Sequence, residues 1–572
     1  MSLAAVLAAP AVVSGQDQDR LKDLQDAYVA NQSEKVARAY HFGSQGAGDV
    51  FSNHTSHTNR LVPVYVFGTK AKLGDVTGAN SRYRTEEGVK ALYGRVPEHT
   101  VNPDATYADQ SDLYRVQKEA VDRGAKYVFT IWFDGMDWDT VRAAALIKTG
   151  KDMTEGPGNG LIFQSYARPK AGPMQFGSVV TSPTHEDPRD EQFDVNTQVL
   201  SDLSGLLGGG YDARVAGPNP WTPGKLKAPG YLKGQSGDAK DKAGVTEVGG
   251  VVHAYTDSAP SAGEYATGVK MFNNGLNFND SGRAVPTLMN QLQAKGWKVG
   301  TVTSVPFNHA SPAAMYAHNV SRDDYQDLAR EMLGLESIVQ ATGKGSRLPG
   351  LDVVIGCGWG CNTRDSDLKK QGKNAVAGNI YITSADKKAI DARNGGKYVV
   401  AERTPGVNGT GSLQDAADAA ARSGKRLFGF YGMPVSGHLP YRTADGQYNP
   451  ARGVRGVAEK YQPADLEENP KLDAMTRAAL TVLAAKPGQP FALFVEAGDV
   501  DFALHDNNLD NAVGALYSGE AAIRVILEWI EKNNAWDDSV VIATADHGHY
   551  LVIDDPAALS GLAPSLQSAT SR

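Results

Sequence analysis

"PFALFVEAGDVDFALH", residues 490–505, opens as a β-type run ending at Glu496 and then passes into acids and a histidine. A strand of Phe, Leu and Val without alternation is buried on both faces, which requires a sheet covered on both sides by helices. The same pattern recurs in "YVFTIWF" ending at Phe133, "WKVGTVTS" from Trp297, "LDVVIG" from Leu351, "RLFGFYG" from Arg426 and "SVVIATA" ending at Ala545. Helical patterns separate these runs, among them "GALYSGEAAIRVILEWIEKN" from Gly514, whose Trp and Ile positions suit a core. The expected architecture is an α/β fold, a three-layer α/β/α sandwich on a mostly parallel sheet.

The 572 residues suffice for one large domain with insertions. A formal net charge of −8 gives no general electrostatic grip on nucleic acid, so any bound phosphate needs a local site. The two cysteines, Cys357 and Cys361, are too few for a disulfide scaffold or a thiolate metal site, and a local disulfide and two free thiols are both open. Residues 3–13, "LAAVLAAPAVV", followed by "SGQDQDR", resemble the tail of a secretory signal without its basic start, which makes residues 1–15 a signal remnant and the protein an exported one. No apolar run is long enough to span a bilayer as a helix. The Gly-, Pro- and Asp-rich stretches at about 165–250 and 360–425 read as insertions over the sheet.

Ligands of open α/β sheets sit outside the carboxyl ends of the strands. That rule gathers "DGMD" at Asp134, "FNHASP" with His309 and Ser311, Glu496 with Asp501 and His505, and "DHGH" at Asp546 to His549 on one rim. Asp501 and His505 share a face if their segment turns helical. Carboxylate with imidazole suits zinc, and carboxylate with hydroxyl suits magnesium. Each feature also has a bland alternative. Asp134 suits the cap of the helix that "DWDTVRAAALIKTG" begins, Ser258 in "YTDSAPSAGEYATGVK" suits an N-cap, and the acids around Asp501 suit a solvated loop.

Taken together, "FDGM", "TDSAPSAGEYATGVK", "NHASPAAMYAHNVSR", "GHLPYR", "FVEAGDVDFALHDNN" and "TADHGH" resemble the motifs of the alkaline phosphatases, in that family's order. The resemblance implies that Ser258 is phosphorylated, that Arg322 binds the phosphate and that Asp257 helps to orient that arginine. It implies one zinc at Asp134, Asp546 and His547, a second zinc at Asp501 and His505, and magnesium at Asp134, Ser311 and Glu496. His309 and His549 fall beside these ligands, and Phe502 stands where many relatives carry Lys, His or Trp. The implied cofactors are two Zn2+ and one Mg2+ per chain. The implied reaction is hydrolysis of phosphate monoesters of broad range at alkaline pH, in a protein that relatives commonly form as a homodimer. A phosphodiesterase, a sulfatase and a non-catalytic zinc and phosphate binder are the competing readings.

The family's second zinc takes one more histidine, placed after "ADHGH" and followed by a strand, yet no histidine follows His549 here. "HTNRLVPVYVFG", from His57 to Gly68, resembles that late segment, down to the spacing from histidine to glycine. The resemblance thus implies a circular permutation. Residues 16–125 then complete the sheet, His57 completes the zinc site in preference to His54, and residues 126–572 form the main core of a single catalytic domain.

Overall fold

The computed structural model describes residues 19–31, 37–39, 62–181, 193–200, 246–248, 251–253, 257–272, 274–279, 281–453, 456–549, 551–560 and 562. Nine strands build the central sheet: β1 Val62–Phe67, β2 Tyr127–Phe133, β3 Gln175–Val179, β4 Lys298–Pro306, β5 Val353–Cys357, β6 Tyr398–Glu402, β7 Arg426–Phe430, β8 Phe491–Ala497 and β9 Ser539–Thr544. Their order across the sheet is β6-β7-β5-β4-β8-β2-β9-β1-β3. The inner ladders are parallel, and β1 alone runs antiparallel to both of its neighbours. All six strands expected from the sequence are present. Edge strands β3 and β6 fall inside the stretches read as insertions, which therefore contribute to the sheet as well.

Alternation along β2 shows why both faces must be covered. Tyr127 and Phe129 turn one way, with ring centroids 5.1 and 5.8 Å from Trp529. Thr130 and Trp132 turn the other way: the Thr130 hydroxyl lies 2.8 Å from the Tyr265 hydroxyl, and the Trp132 and Tyr265 rings meet at 4.7 Å. The helices concerned are α1 Gln110–Asp122, α2 Trp138–Thr149, α3 Ser258–Thr267, α4 Ala310–Ala314, α5 Gly409–Ser423, α6 Leu472–Leu483, α7 Asp499–His505 and α8 Leu509–Lys532. Helices α5, α6 and α8 pack on the Trp529 face; α1, α3 and α4 pack against one another on the Tyr265 side.

Strand β1 includes Pro63, which has no N–H for a ladder and belongs at the margin of a sheet. Only Tyr65, Val66 and Phe67 pair with β9, so the proline lies beyond that ladder, and its carbonyl accepts from Thr544 Oγ1 at 3.0 Å. The front of the chain also meets its back. Ala37–Ala39 pair antiparallel with Leu551–Ile553, and Gln25 of the helix Arg20–Asn31 donates to the Asn507 carbonyl at 3.0 Å.

Candidate active site

Four adjacent strands, β4, β8, β2 and β9, deliver the rim expected from the sequence. Asp134 follows β2, His309 and Ser311 follow β4, Glu496 is the last residue but one of β8 with Asp501 and His505 on α7, and Asp546, His547 and His549 follow β9. Helix α2 is capped by Asp137, whose carboxylate accepts from Thr140 N at 3.0 Å. Asp134 is therefore released from the capping role and faces the site instead. Between them Gly135 has φ 74°, and a Cβ there would stand 2.5 Å from His549 Cδ2, so a side chain is excluded by both conformation and space.

Ser258 is likewise not the cap of its helix. Asp257 caps α3, accepting from Ala259 N at 2.8 Å, and Ser258 occupies the first helical position. Its Oγ lies 3.2 Å from His547 Nε2 and 3.4 Å from Asp134 Oδ2. The free N–H groups and dipole of a helix N-terminus favour an anionic oxygen at this point. Arg322 Nη1 stands 3.5 Å from Asp257 Oδ2, and Nη2 donates to His309 Nε2 at 3.5 Å. Burial and Arg322 together push the His309 imidazole down to about 3, so it stays neutral and accepts that contact.

Asp134, Asp546 and His547 bring three ligand atoms within 4.8 Å of one another, and so do Asp501, His547 and His549. Ser311 Oγ donates to Asp134 Oδ2 at 3.3 Å. Glu496, which the sequence resemblance groups with Asp134 and Ser311, accepts from Thr303 Oγ1 at 2.5 Å. His505 Nε2 lies 3.3 Å from Asp501 Oδ1, as expected of residues one turn apart on α7, and His549 Nε2 lies 2.5 Å from the same oxygen. With that nitrogen on the carboxylate, His549 is placed to orient Asp501. His57 and His54 lie outside the described residues.

The electrostatics call for cations. Burial, and then Asp546, Asp501 and Glu496, raise the Asp134 carboxyl well above the usual range. Burial pushes Glu496 up to about 8, against the hydrogen bond from Thr303 and with Asp546 adding repulsion. Asp501 is the contrary case: burial is outweighed by His505 and His549, which hold it well below the carboxylate range. Asp546 is also lowered, burial being outweighed by His547 and by hydrogen bonds that include the one from Gly135 N. Glu496 Oε1 and Asp546 Oδ2 are buried with no hydrogen-bond donor among the described residues. Four buried carboxylates, two of them with an orphaned oxygen, are costly unless positive charge completes them. The mixed carboxylate and imidazole sets suit zinc, and Asp134 with Ser311 and Glu496 suits magnesium.

Two features went unread in the sequence. Thr303 is the cross-strand partner of Glu496 in the β4–β8 ladder, a relation that only register reveals. His438, in "GHLPYR", is buried between Glu459, 2.9 Å from Nε2, and Asp499, 3.2 Å from Nδ1. Cys357 and Cys361 are both free and buried, which decides for thiols.

The sequence profile of the family described as Alkaline phosphatase matches residues 238–567, more than half of the chain. The chain belongs to the alkaline phosphatase family. It is 27% identical over 293 residues to Alkaline phosphatase 4 of Bacillus subtilis (strain 168), covering 51% of this chain and 49% of that protein. It is 29% identical over 303 residues to Alkaline phosphatase of Escherichia coli (strain K12), covering 51% and 58%. Streptomycin-6-phosphate phosphatase of Streptomyces griseus is 28% identical over 324 residues, covering 54% and 65%. The chain thus spans about half to just under two thirds of the curated relatives it matches. Asp134 and strand β1 lie outside the matched residues; the fold brings Asp134 into the site and sets β1 beside β9.

Proposed function

We propose that the protein hydrolyses phosphate monoesters through a phosphoserine on Ser258. The observation behind this reading is Ser258 Oγ at the start of α3, 3.2 Å from His547 Nε2, with Arg322 held near by Asp257. Ser258 Oγ attacks phosphorus, the bond to the alcohol oxygen breaks on the opposite side, and the alcohol leaves with a proton from solvent. Water then attacks the phosphoserine and releases phosphate. The planar fork of Arg322 is suited to two equatorial oxygens at once. Asp257 and His309 set its position, and His549 sets that of Asp501.

In this reading zinc is held by Asp134, Asp546 and His547 and by Asp501, His505 and His57, and magnesium by Asp134, Ser311 and Glu496. When bound, these ions supply charge stabilisation to the entering and leaving oxygens. The permutation belongs to the same proposal. It is supported by β1 lying beside β9 and by residues 37–39 pairing with 551–553, which makes the front of the chain continue from its back in space. Broad substrate range, alkaline optimum, export and a homodimer complete the proposal. The relatives named above are phosphatases by name, which agrees with a monoesterase.

The test is phosphomonoester turnover at alkaline pH with zinc and magnesium, for the parent, Ser258→Ala and His57→Ala, with mass analysis of acid-quenched parent. We expect phosphate on Ser258, loss of most activity in both variants, and little turnover of diesters. An active His57→Ala variant overturns the ligand role of His57. An inactive parent with its metals bound overturns the enzyme reading.

A further inference from the structure

Helix α1 begins beside the turn that follows β9. Its first residue, Gln110, is fully buried, and its Nε2 donates to the Asp546 carbonyl at 2.6 Å across 436 positions of sequence. A carbonyl oxygen only accepts, so the NH₂ end of the amide faces it. The other end, Oε1, is buried with no donor among the described residues. A glutamine satisfied at one end costs stability that an apolar side chain of the same shape would not, so packing does not account for it. The carbonyl it reaches does. We propose, resting on the metal-site reading above, that Gln110 is a positioning residue: it fixes the peptide between Asp546 and His547 and so sets these two ligands for one zinc ion.

Three observations support this. First, that peptide carries a ligand on each side, and both of its polar ends are held. Gln110 takes the carbonyl, and His547 N donates to Asp546 Oδ1 at 2.8 Å. Gly135 N donates to the same Oδ1 at 2.9 Å, which leaves Oδ2, buried and without a donor among the described residues, open to a cation. Oδ2 lies 3.4 Å from His547 Nε2, a spacing that rotation of this peptide would change. Second, Gln110 is itself held. Asp109 caps α1, accepting from Ser111 N at 2.9 Å, and also accepts from the Tyr83 hydroxyl at 2.6 Å. Val180 N, just beyond β3, donates to the Ala108 carbonyl at 2.9 Å and ties the chain before the cap to the sheet edge. A support locked in this way keeps a ligand in place. Third, the same corner reaches the helix of the nucleophile. Lys270 Nζ lies 3.2 Å from Asp109 and 2.7 Å from Glu264 of α3. The adjacent residues Asp109 and Gln110 therefore brace the helix of Ser258 and the peptide of His547, whose Oγ and Nε2 stand 3.2 Å apart. Gln110 lies outside residues 238–567, so the family match assigns it no role.

The test is the zinc affinity of the full chain after chelation of its metals, read by competition with a chromophoric chelator, and it needs no turnover. Gln110→Met keeps the shape and removes the donor. Its affinity is expected to fall at least about tenfold, as for lost support of a metal ligand, with the melting temperature of the metal-free chain within a few degrees of the parent. Gln117→Met gives the comparison. Gln117 is also buried on α1 and donates to the Tyr265 carbonyl at 3.3 Å, so it braces the fold without reaching a ligand, and zinc affinity there should stay at the parent value. Gln110→Asn stops its amide one methylene short of the carbonyl; it should lose zinc affinity to the same degree, and it decides alone if Gln110→Met does not fold. Parent affinity in Gln110→Met or Gln110→Asn, or an equal loss in Gln117→Met, overturns the proposal. A parent that takes zinc and hydrolyses no phosphate ester, with affinity still lost in Gln110→Met, overturns the phosphatase reading and keeps Gln110 as a positioning residue.

Discussion

Asp134 and Asp137 differ by three positions, and the difference separates a carboxylate that faces the site from a cap. Asp137 satisfies the N-terminus of α2, so Asp134 can face Ser258 and Ser311 with both carboxylate oxygens. Thr303 shows the same economy on the strand side, since its hydroxyl supports Glu496 from across the ladder. Thr303→Val keeps the shape and removes the donor, leaving a buried acceptor unsatisfied at about 1–3 kcal/mol. We expect magnesium affinity to fall about tenfold, as for lost support of a ligand, and Thr303→Ser to restore it. Magnesium titration followed by calorimetry reads both effects.

At the scale of the element, α3 carries Ser258 at one end and is anchored at the other by a buried charge cluster. Lys270 Nζ lies 2.7 Å from Glu264 and 3.2 Å from Asp109, all fully withdrawn from water. Lys270→Met removes the cation that lies between Glu264 and Asp109, leaving Asp109 with Arg82 and its hydroxyl donors but Glu264 without an opposite charge, and is expected to cost about 3 kcal/mol in urea unfolding. The loop holding His438 makes a prediction in pH. Burial works to lower this imidazole, but Asp499 and then Glu459 outweigh it and push it up to about 9. Burial pushes Asp499 up to about 7, with His438 drawing it back, and Tyr441 and Phe502 supply the rings around the imidazole. A raised histidine stabilises the fold fully below its unfolded value of about 6.5, and that stabilisation is lost as pH rises through about 9. Between pH 6.5 and 9.5 the parent should lose on the order of 2–3 kcal/mol more than His438→Gln, measured by denaturant unfolding across pH.

For the whole molecule, the cluster of four acids couples folding to cations. Chelation should lower the melting temperature, and zinc with magnesium should restore it. Each ion at a thousandfold its dissociation constant contributes about 4 kcal/mol. Chain order can be tested directly. If the proposed permutation holds, a rearranged chain with residues 16–125 placed after residue 562 runs its segments in the family's order, and the ends it opens lie just before β2. Permutation predicts the same sheet and a melting temperature within a few degrees of the parent, read by circular dichroism. A chain that fails to fold sinks that reading.

The sequence by itself determined the six parallel inner strands and the rim of acids and histidines at their ends, because doubly buried strands and strand-end polar groups are local patterns. It also located Ser258, Arg322 and the carboxylates through motifs that lie within short segments. It did not reveal β3 and β6, whose edge positions need neither continuous apolar runs nor strict alternation, as in "QFGSV" and "YVVAE". Nor could it show that Thr303 supports Glu496 or that Gln110 reaches the Asp546 carbonyl. Those relations depend on strand register and on where the start of a helix is set against the sheet. Cross-strand pairing and helix placement bring together residues that are distant in the chain, and only the tertiary fold sets which of them meet.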